Sequence, residues 1–336
     1  MVPGTNSGLF VPGTNSVAAA AAKLAAGELV AFPTETVYGL GADARNPAAV
    51  AKIFAAKGRP ADHPVIVHVA SIAALGVWGV SVPAAARGLA QAFWPGPLTL
   101  IVKRASFVPD AVTGGQDSVG LRCPSHPVAR ELLEAFARVG SGAIAAPSAN
   151  KFGHVSPTTA EHVREEFGPG LFVVDGGECD VGLESTIVDL SRGEPVLLRP
   201  GAVSREDIRS VLGKYPRDRD AQAPRASGTL AAHYAPRTAL VVVTPATLNE
   251  EVKVMSNVAV LAMREPPRHA LATSWIAASR DPARYAHDLY SNLRRLDASG
   301  AKRILVEAPP DAPAWEAVND RLGRAAAGTA SLDDEP

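Results

Sequence analysis

Polar residues stand at the ends of apolar runs in this chain, where α/β proteins present side chains to ligands. The segment Pro33-Thr34-Glu35-Thr36-Val37-Tyr38-Gly39-Leu40 follows such a run. The hydroxyls of Thr34 and Thr36 either position a small polar substrate or merely end a threonine-rich strand. Lys57-Gly58-Arg59-Pro60, followed by His63, puts two cations just past an expected helix end. Such cations complement a helix dipole; held between glycine and proline, they also suit phosphate recognition. His68 sits inside Val65-Ile66-Val67-His68-Val69. It is either a hydrogen-bonded core residue or a neutral imidazole facing a substrate carboxylate or hydroxyl. Arg122 ends the run 118–122 and is too costly to bury alone, so it must meet a protein acid or a ligand anion. Pro147-Ser148-Ala149-Asn150 and Ser156-Pro157-Thr158 offer hydroxyls and, with a helix expected to open at Ser156, free backbone N–H groups able to bind an anion. Gly182-Leu183-Glu184-Ser185-Thr186 and Arg199-Pro200-Gly201 complete the set.

The elements that must position these residues alternate. Apolar, partly β-branched runs at 28–32, 65–69, 98–102, 118–122, 143–146, 171–174, 186–190 and 196–199 read as buried strands. Helix starts fall between them. Asn46-Pro47 supplies a cap and an N1 proline, Gly58 a stop, Ser125 precedes another helix, and Ser204 with Asp207 opens a third. This is an α/β pattern. Residues 214–228 carry mixed charge, prolines and no period, and read as a linker. Apolar runs at 240–243, 258–263 and 304–306, with helices from Asp281-Pro282 and near 314–327, make a second, smaller α/β domain.

The 336 residues are enough for about two domains. A net charge of -1 argues against coating nucleic acid or anionic lipid through bulk charge. Two cysteines, Cys123 and Cys179, make neither a disulfide framework nor a zinc site. No apolar run reaches the ~18 residues of a membrane span, and no signal peptide is evident, so a cytoplasmic location is expected. There is no Walker-type phosphate loop, no zincin pair and no nucleophile elbow. Gly39-Leu40-Gly41-Ala42-Asp43-Ala44 is a degenerate match to a dinucleotide fingerprint. Val2-Pro3-Gly4-Thr5-Asn6-Ser7 recurs at 11–16, and residues 1–16 read as a flexible tail.

Taken together, residues 33–40, 57–60, Trp94-Pro95-Gly96-Pro97-Leu98-Thr99, Arg122 with Pro124, 147–150, 156–158, 184–189 and 199–201 form an ordered series. It resembles the YrdC-like domain of threonylcarbamoyl-AMP synthases. His233-Tyr234-Ala235-Pro236 and Asn319-Asp320-Arg321-Leu322-Gly323-Arg324 resemble the two-domain version, so the likeness covers roughly 17–328. It implies a twisted open mixed sheet with flanking helices over 17–212, a linker and lid at 213–237, and a Rossmann-like α/β accessory domain at 238–336. It also implies condensation of L-threonine, bicarbonate and ATP into threonylcarbamoyl-AMP and pyrophosphate, for a downstream tRNA threonylcarbamoyl-transfer complex. Mg²⁺ would arrive on the ATP phosphates, with no dedicated protein cage. By the same likeness Lys57 and Arg59 are catalytic cations. L-Threonine meets Thr36, His68, Arg122, the backbone near Ala146, and Ser185. ATP meets Arg59, His63, Ser118, Ser148, Ser156, Arg199 and Tyr234.

Three other readings compete. One is an RNA-binding or ribosome-assembly module without turnover. It sits poorly with the near-neutral charge and with aromatics at 5% of residues, too few to interleave with a basic face. A second is carbamoyl transfer of the hydrogenase-maturation type, for whose extra modules the chain lacks room. A third is a structural accessory subunit, which would not need the whole polar constellation.

Overall fold

The computed structural model describes residues 14–330. From its start, α1 (Thr14–Ala25) leads into β1 (Val30–Phe32), β2 (Gly39–Asp43) and α2 (Pro47–Lys57). The Asn46 side chain accepts from the Ala49 N–H, Pro47 takes the first helical position, and Gly58 closes α2 at φ 65°. Next come β3 (Val67–Val69), α3 (Ala74–Trp78), α4 (Ala84–Phe93), β4 (Leu98–Lys103), α5 (Asp110–Thr113) and β5 (Ser118–Arg122). The first unit is completed by α6 (Pro127–Val139), β6 (Ala143–Ala145), α7 (Ala160–Phe167), β7 (Phe172–Val173), β8 (Thr186–Asp189), β9 (Val196–Arg199), α8 (Arg205–Leu212) and β10 (Arg217–Asp218).

Its strands form one mixed ten-stranded sheet in the order β10-β9-β8-β4-β5-β3-β6-β2-β1-β7. Both faces are covered. In β1, Val30 and Phe32 join Leu24, Leu132 and Phe136 of α1 and α6, while Ala31 joins Ile53 and Leu89 of α2 and α4. That is the period-two alternation of a strand buried on both sides. β3 and β5 are parallel with His68 opposite Arg122, and β6 runs antiparallel to β3 with Ile144 opposite His68. The register sets His68 of β3 beside Arg122 of β5.

Several boundaries differ from the sequence expectation. The Gly39–Ala44 fingerprint is mostly strand β2, antiparallel to β1. A Cβ at Gly41 would lie 2.7 Å from Ile144 and 2.8 Å from Phe32, so this glycine serves close packing and not a phosphate turn. The helix expected at Ser156 begins at Ala160, with Thr159 as its cap, accepting from the His162 N–H. His126 replaces Ser125 as the cap of α6. The linker contributes β10, which extends the sheet edge alongside β9. α1 opens at Thr14, inside the segment expected as a tail, and the first VPGTNS copy lies outside the described residues. Ser204 and Asp207 form the expected capping box on α8.

The second unit contains β11 (Ala239–Val243), α9 (Pro245–Val254), β12 (Val258–Ala262), β13 (Ser274–Ala277), α10 (Pro282–Asp297), β14 (Arg303–Glu307) and α11 (Glu316–Ala330). Its sheet is four-stranded and parallel, in the order β11-β14-β12-β13. Leu248 and Val252 of α9 cover one face. Leu289, Leu293 and Leu322 of α10 and α11 cover the other, and this cluster continues into Val37, Val155 and Leu183 of the first unit and Tyr234 of the linker. The two units therefore share a core, and Tyr234 of the segment joining them lies within it. Among the described residues, no helix is long and apolar enough to cross a membrane.

Gly182 marks the seam. It sits at φ 75°, and a Cβ there would lie 2.3 Å from the His287 carbonyl oxygen. Gly182→Ala is expected to lower the thermal midpoint by several degrees, since the left-handed backbone alone costs about 1–2 kcal/mol. It should also speed tryptic cleavage in 213–237. An unchanged midpoint and cleavage rate would show that this contact does not hold the units together.

Candidate active site

The β1–β2 turn is built on Thr34. Its hydroxyl donates to the Val37 carbonyl at 2.7 Å and accepts from the Thr36 and Val37 N–H groups at 3.2 and 3.3 Å. The Thr36 hydroxyl lies 2.9 Å from that of Thr34 and accepts from Arg122 Nη1 at 2.8 Å. Arg122 Nε donates to the Gly96 carbonyl at 3.3 Å, and Nη2 lies 2.7 Å from Glu35 Oε1. The sequence left open whether Arg122 meets a protein acid or a ligand; the structure gives it Glu35. That ion contact lies off the hydrogen-bonding direction, so Nη2–H keeps an unspent donor. Burial raises the Glu35 carboxyl, but Arg122 together with backbone N–H donors, that of Ser125 among them, holds it below its ordinary value.

Beside Arg122 stands His68, buried, edge-on to Phe32, with Nδ1 lacking a hydrogen-bond partner among the described residues. Burial, assisted by the Arg122 charge, brings its pKa down to about 3, so the imidazole is neutral. The Ala146 N–H donates to the Ile66 carbonyl and fixes the opposite wall. Ser185 closes this end; its hydroxyl lies 2.7 Å from that of Thr99.

Two further guanidiniums form the other end. Arg199, at the end of β9, donates from Nε and Nη2 to the Ser185 carbonyl at 3.1 and 2.9 Å, and from Nη1 to the Ser227 carbonyl at 2.9 Å. Arg59 Nη2 donates to the Pro64 carbonyl at 2.9 Å and reaches Ser227 Oγ at 3.4 Å, while Nε is unpartnered among the described residues. Both cations thus grip the linker. Gly228, at φ 72°, leaves room for the Tyr234 hydroxyl, which would sit 2.0 Å from any Cβ there. Tyr234 itself has φ 63° and stacks on Tyr290, with ring centroids 5.8 Å apart. Its neighbours are tied to both units: the His233 N–H donates to the Arg324 carbonyl, and the Ala235 N–H to the Gly153 carbonyl.

These groups line a narrow, partly open cavity. Of the expected residues, Thr36, Arg59, His68, Arg122, Ala146, Ser148, Ser185, Arg199 and Tyr234 line it. Four are placed elsewhere. Lys57 is buried beneath the 148–150 loop, its ammonium bonded to the carbonyls of Ser148, at 2.6 Å, and of Asn150. Burial, with the Arg59 charge adding to it, holds Lys57 well below its ordinary pKa. Ser156 is buried and donates to Glu184 at 2.5 Å. His63 lines an adjoining space that shares Arg59, Gly228 and His233 with the main cavity, and Ser118 lines another that shares Ile66 and Ser227. The sequence reading left out Glu184, Ser227, Gly228 and His233, all lining residues. Glu184 and His233 lie inside quoted motifs, but what they face depends on a seam the sequence does not display. Among the described residues, no group of three or more His, Cys, Asp or Glu side chains is placed to hold a metal ion.

The neutral histidines give a pH signature. His68 and His233 are both brought by burial to about 3, against an ordinary 6.5. Between those values the unfolded chain binds more protons, so stability falls as pH drops from about 6.5 toward 3. The depressed carboxylates, Glu166 and Glu184 at about 2, add their own loss only from about 4.5 downward. His68→Gln is expected to flatten the slope between pH 6.5 and 4.5 by up to about 1.4 kcal/mol per pH unit, measured by denaturant unfolding. An unaltered slope would mean that His68 is not neutral for the stated reason.

Comparison with known proteins matches this architecture. The Sua5/YciO/YrdC family model, described as telomere recombination, matches residues 22–201, and the threonylcarbamoyl-AMP synthase C-terminal domain model matches 203–327. The threonylcarbamoyl-AMP synthase of Pyrococcus abyssi is 40% identical over 313 residues, covering 89% of this chain and 90% of its own. That of Bacillus subtilis is 38% identical over 327 residues, 93% of each. The crystal structure of P. abyssi Sua5 complexed with L-threonine superposes with a TM-score of 0.84 at 39% identity, over 94% of this chain and 95% of that one. The chain belongs to the threonylcarbamoyl-AMP synthase family, in its two-domain form.

Proposed function

We propose that the cavity condenses L-threonine, bicarbonate and ATP. The threonine amine takes up CO₂ to form a carbamate. A carbamate oxygen then attacks the α-phosphorus of ATP, and pyrophosphate leaves with the electron pair of the broken P–O bond. One observation carries this: threonine-side groups Thr36, His68, Arg122 and Ser185 line one cavity together with the phosphate-side cations Arg59 and Arg199. The substrate carboxylate is placed on Arg122, whose fork is already oriented by Thr36 and the Gly96 carbonyl. Neutral His68 and the Ser185 hydroxyl take the substrate hydroxyl and amine side, along the wall set by Ala146. Arg59 and Arg199 face the phosphates, with Ser148 and Tyr234 lining that end. Lys57 acts one layer behind, holding the Ser148–Asn150 carbonyls in place. His63 and Ser118 extend the nucleotide site into the adjoining spaces, and Ser156 orients Glu184.

No enzyme-bound intermediate is invoked, because positioning and charge stabilisation are what the lining residues offer. ATP enters as its Mg²⁺ complex, with phosphate and water oxygens as the ion's ligands, since Glu35 and Glu184 are taken up by arginines. The linker keeps water from the mixed anhydride. The product then passes to a tRNA threonylcarbamoyl-transfer complex in the cytoplasm. RNA binding without turnover is disfavoured by the near-neutral net charge of -1 and by aromatics at only 5% of residues.

Pyrophosphate release from ATP in bicarbonate and Mg²⁺ is expected only when L-threonine is added. Release that ignores threonine, or none with the protein folded, would overturn the reaction; salt-sensitive tRNA binding in its place would favour the RNA-binding reading. Arg122→Lys keeps a cation against Glu35 but loses the fork. It should raise the threonine KM by about ten- to a hundredfold, or about 1.4–2.8 kcal/mol, and an unchanged KM would remove Arg122 from the threonine site.

A further inference from the structure

Among the described residues lining the cavity, Glu184 is the only carboxylate, set among Arg59, Arg122 and Arg199. Its Oε1 accepts from Ser156 Oγ at 2.5 Å. Its Oε2 accepts from the Tyr290 hydroxyl and from Arg321 Nε, both at 2.9 Å. Two of these three donors come from the second unit, Tyr290 on α10 and Arg321 on α11. The Arg321 side chain is 0% exposed. Its Nη2 donates to the Pro200 carbonyl at 2.9 Å, and its guanidinium lies 5.2 Å from the centre of the Tyr234 ring. Asp320 and Arg324 continue the chain of charges, so it holds two acids and two bases and is balanced.

We propose that Arg321 is a positioning residue for the nucleotide: it neutralises Glu184, so that Arg59 and Arg199 face the triphosphate without that acid opposing them, and it braces the Tyr234 ring beside them. This rests on ATP being the ligand of the cavity. The alternative to neutralisation by Arg321 is an uncompensated carboxylate in the wall of a site for a polyanion. A balanced pair also keeps Glu184 ionised and aimed at Arg321, as its carboxyl shows. Burial would raise it, but Arg321, Arg199 and the Ser156 hydroxyl bring it down to about 2. In this role the second unit sets the charge of a site whose cationic wall it does not itself build.

The test measures the affinity of the full chain for α,β-methylene-ATP by titration calorimetry, so it needs no turnover. Four proteins are compared: the parent, Arg321→Met, Glu184→Gln, and the double variant. Arg321→Met is expected to weaken binding by about tenfold or more. In the Glu184→Gln background the same substitution should change affinity by less than about threefold, because the charge it answered is gone. The double variant has no buried unpaired charge and is expected to fold even if Arg321→Met alone does not. Arg321→Lys should recover part of the loss. An Arg321→Met protein that folds and binds like the parent would overturn the proposal. So would a folded double variant that binds tenfold more weakly than Glu184→Gln, which would make Arg321 a scaffold residue only. A parent chain that binds no nucleotide would sink both this and the proposed reaction. Nucleotide binding without threonine-dependent pyrophosphate release would sink the reaction alone.

Discussion

Three guanidiniums are buried around one cavity, with Arg59, Arg122 and Arg199 each exposed by 9% or less, and the rest of the site follows from satisfying them. A buried cation needs acceptors, yet an acid as acceptor would cancel the charge a polyanionic substrate requires. The fold meets both demands chiefly with neutral acceptors. Arg199 uses the Ser185 and Ser227 carbonyls, Arg59 uses the Pro64 carbonyl, and Arg122, the one with an acid (Glu35) beside it, also uses the Gly96 carbonyl and the Thr36 hydroxyl. Carbonyl oxygens fix the forks in space and leave the formal charge intact. Each of these carbonyls belongs to a loop whose course is set by glycine or proline. The punctuation visible in the sequence is thus what places the acceptors.

The linker follows from the same constraint. Arg59 and Arg199 would otherwise lie open on the side of residues 227–228, and Ser227 supplies both a carbonyl and a hydroxyl to them. A segment held this way must thread between the two units, and it does so with the unusual backbone of Tyr234, at φ 63°, next to a glycine that alone leaves room for the phenol. A non-glycine residue in that region costs of order 1–3 kcal/mol and persists only when its surroundings over-determine it. Here stacking on Tyr290, the Arg321 cation over the ring and the backbone bonds of His233 and Ala235 do so.

Much of this was legible from local chemistry. Asn46-Pro47, Gly58 and the Ser204/Asp207 box are short-range devices, and they mark helix ends where the structure has them. Strands 118–122 and 196–199 were readable because β-branched and leucine side chains fill buried faces on both sides. β2 was not, because its glycines and alanines carry little strand propensity, and what makes it a strand is the tight fit of Gly41 between Phe32 and Ile144. The helix expected at Ser156 starts later because the Ser156 hydroxyl is claimed by Glu184 and Thr159 takes the cap. Arg122 could be seen to need an anion, but Glu35 is remote in sequence and is brought near only by the sheet. Glu184 and Arg321 are 137 residues apart, and although both stand in motifs the sequence displays, their pairing is visible only once the seam is formed.

The seam also explains why a second unit with its own parallel sheet is kept against a site it barely lines. Two unit charges about 8 Å apart at an effective dielectric of ~20 interact by about 2 kcal/mol, so one misplaced charge in a wall facing three phosphates outweighs the gain from any single hydrogen bond there. Glu184 cannot simply be moved away. It orients Ser156, and it neighbours Ser185, whose carbonyl holds Arg199. Its charge must therefore be answered where it stands, by a donor that approaches from outside the first sheet. α11 provides that donor, while its apolar residues Val318, Leu322 and Ala325 bury against β11 and α10 and fix the helix axis. The apolar face of α11 sets the reach of Arg321, Arg321 sets the charge state of Glu184, and Glu184 sets the electrostatic balance of the cavity. That chain makes the packing of the second core part of the electrostatics of the first.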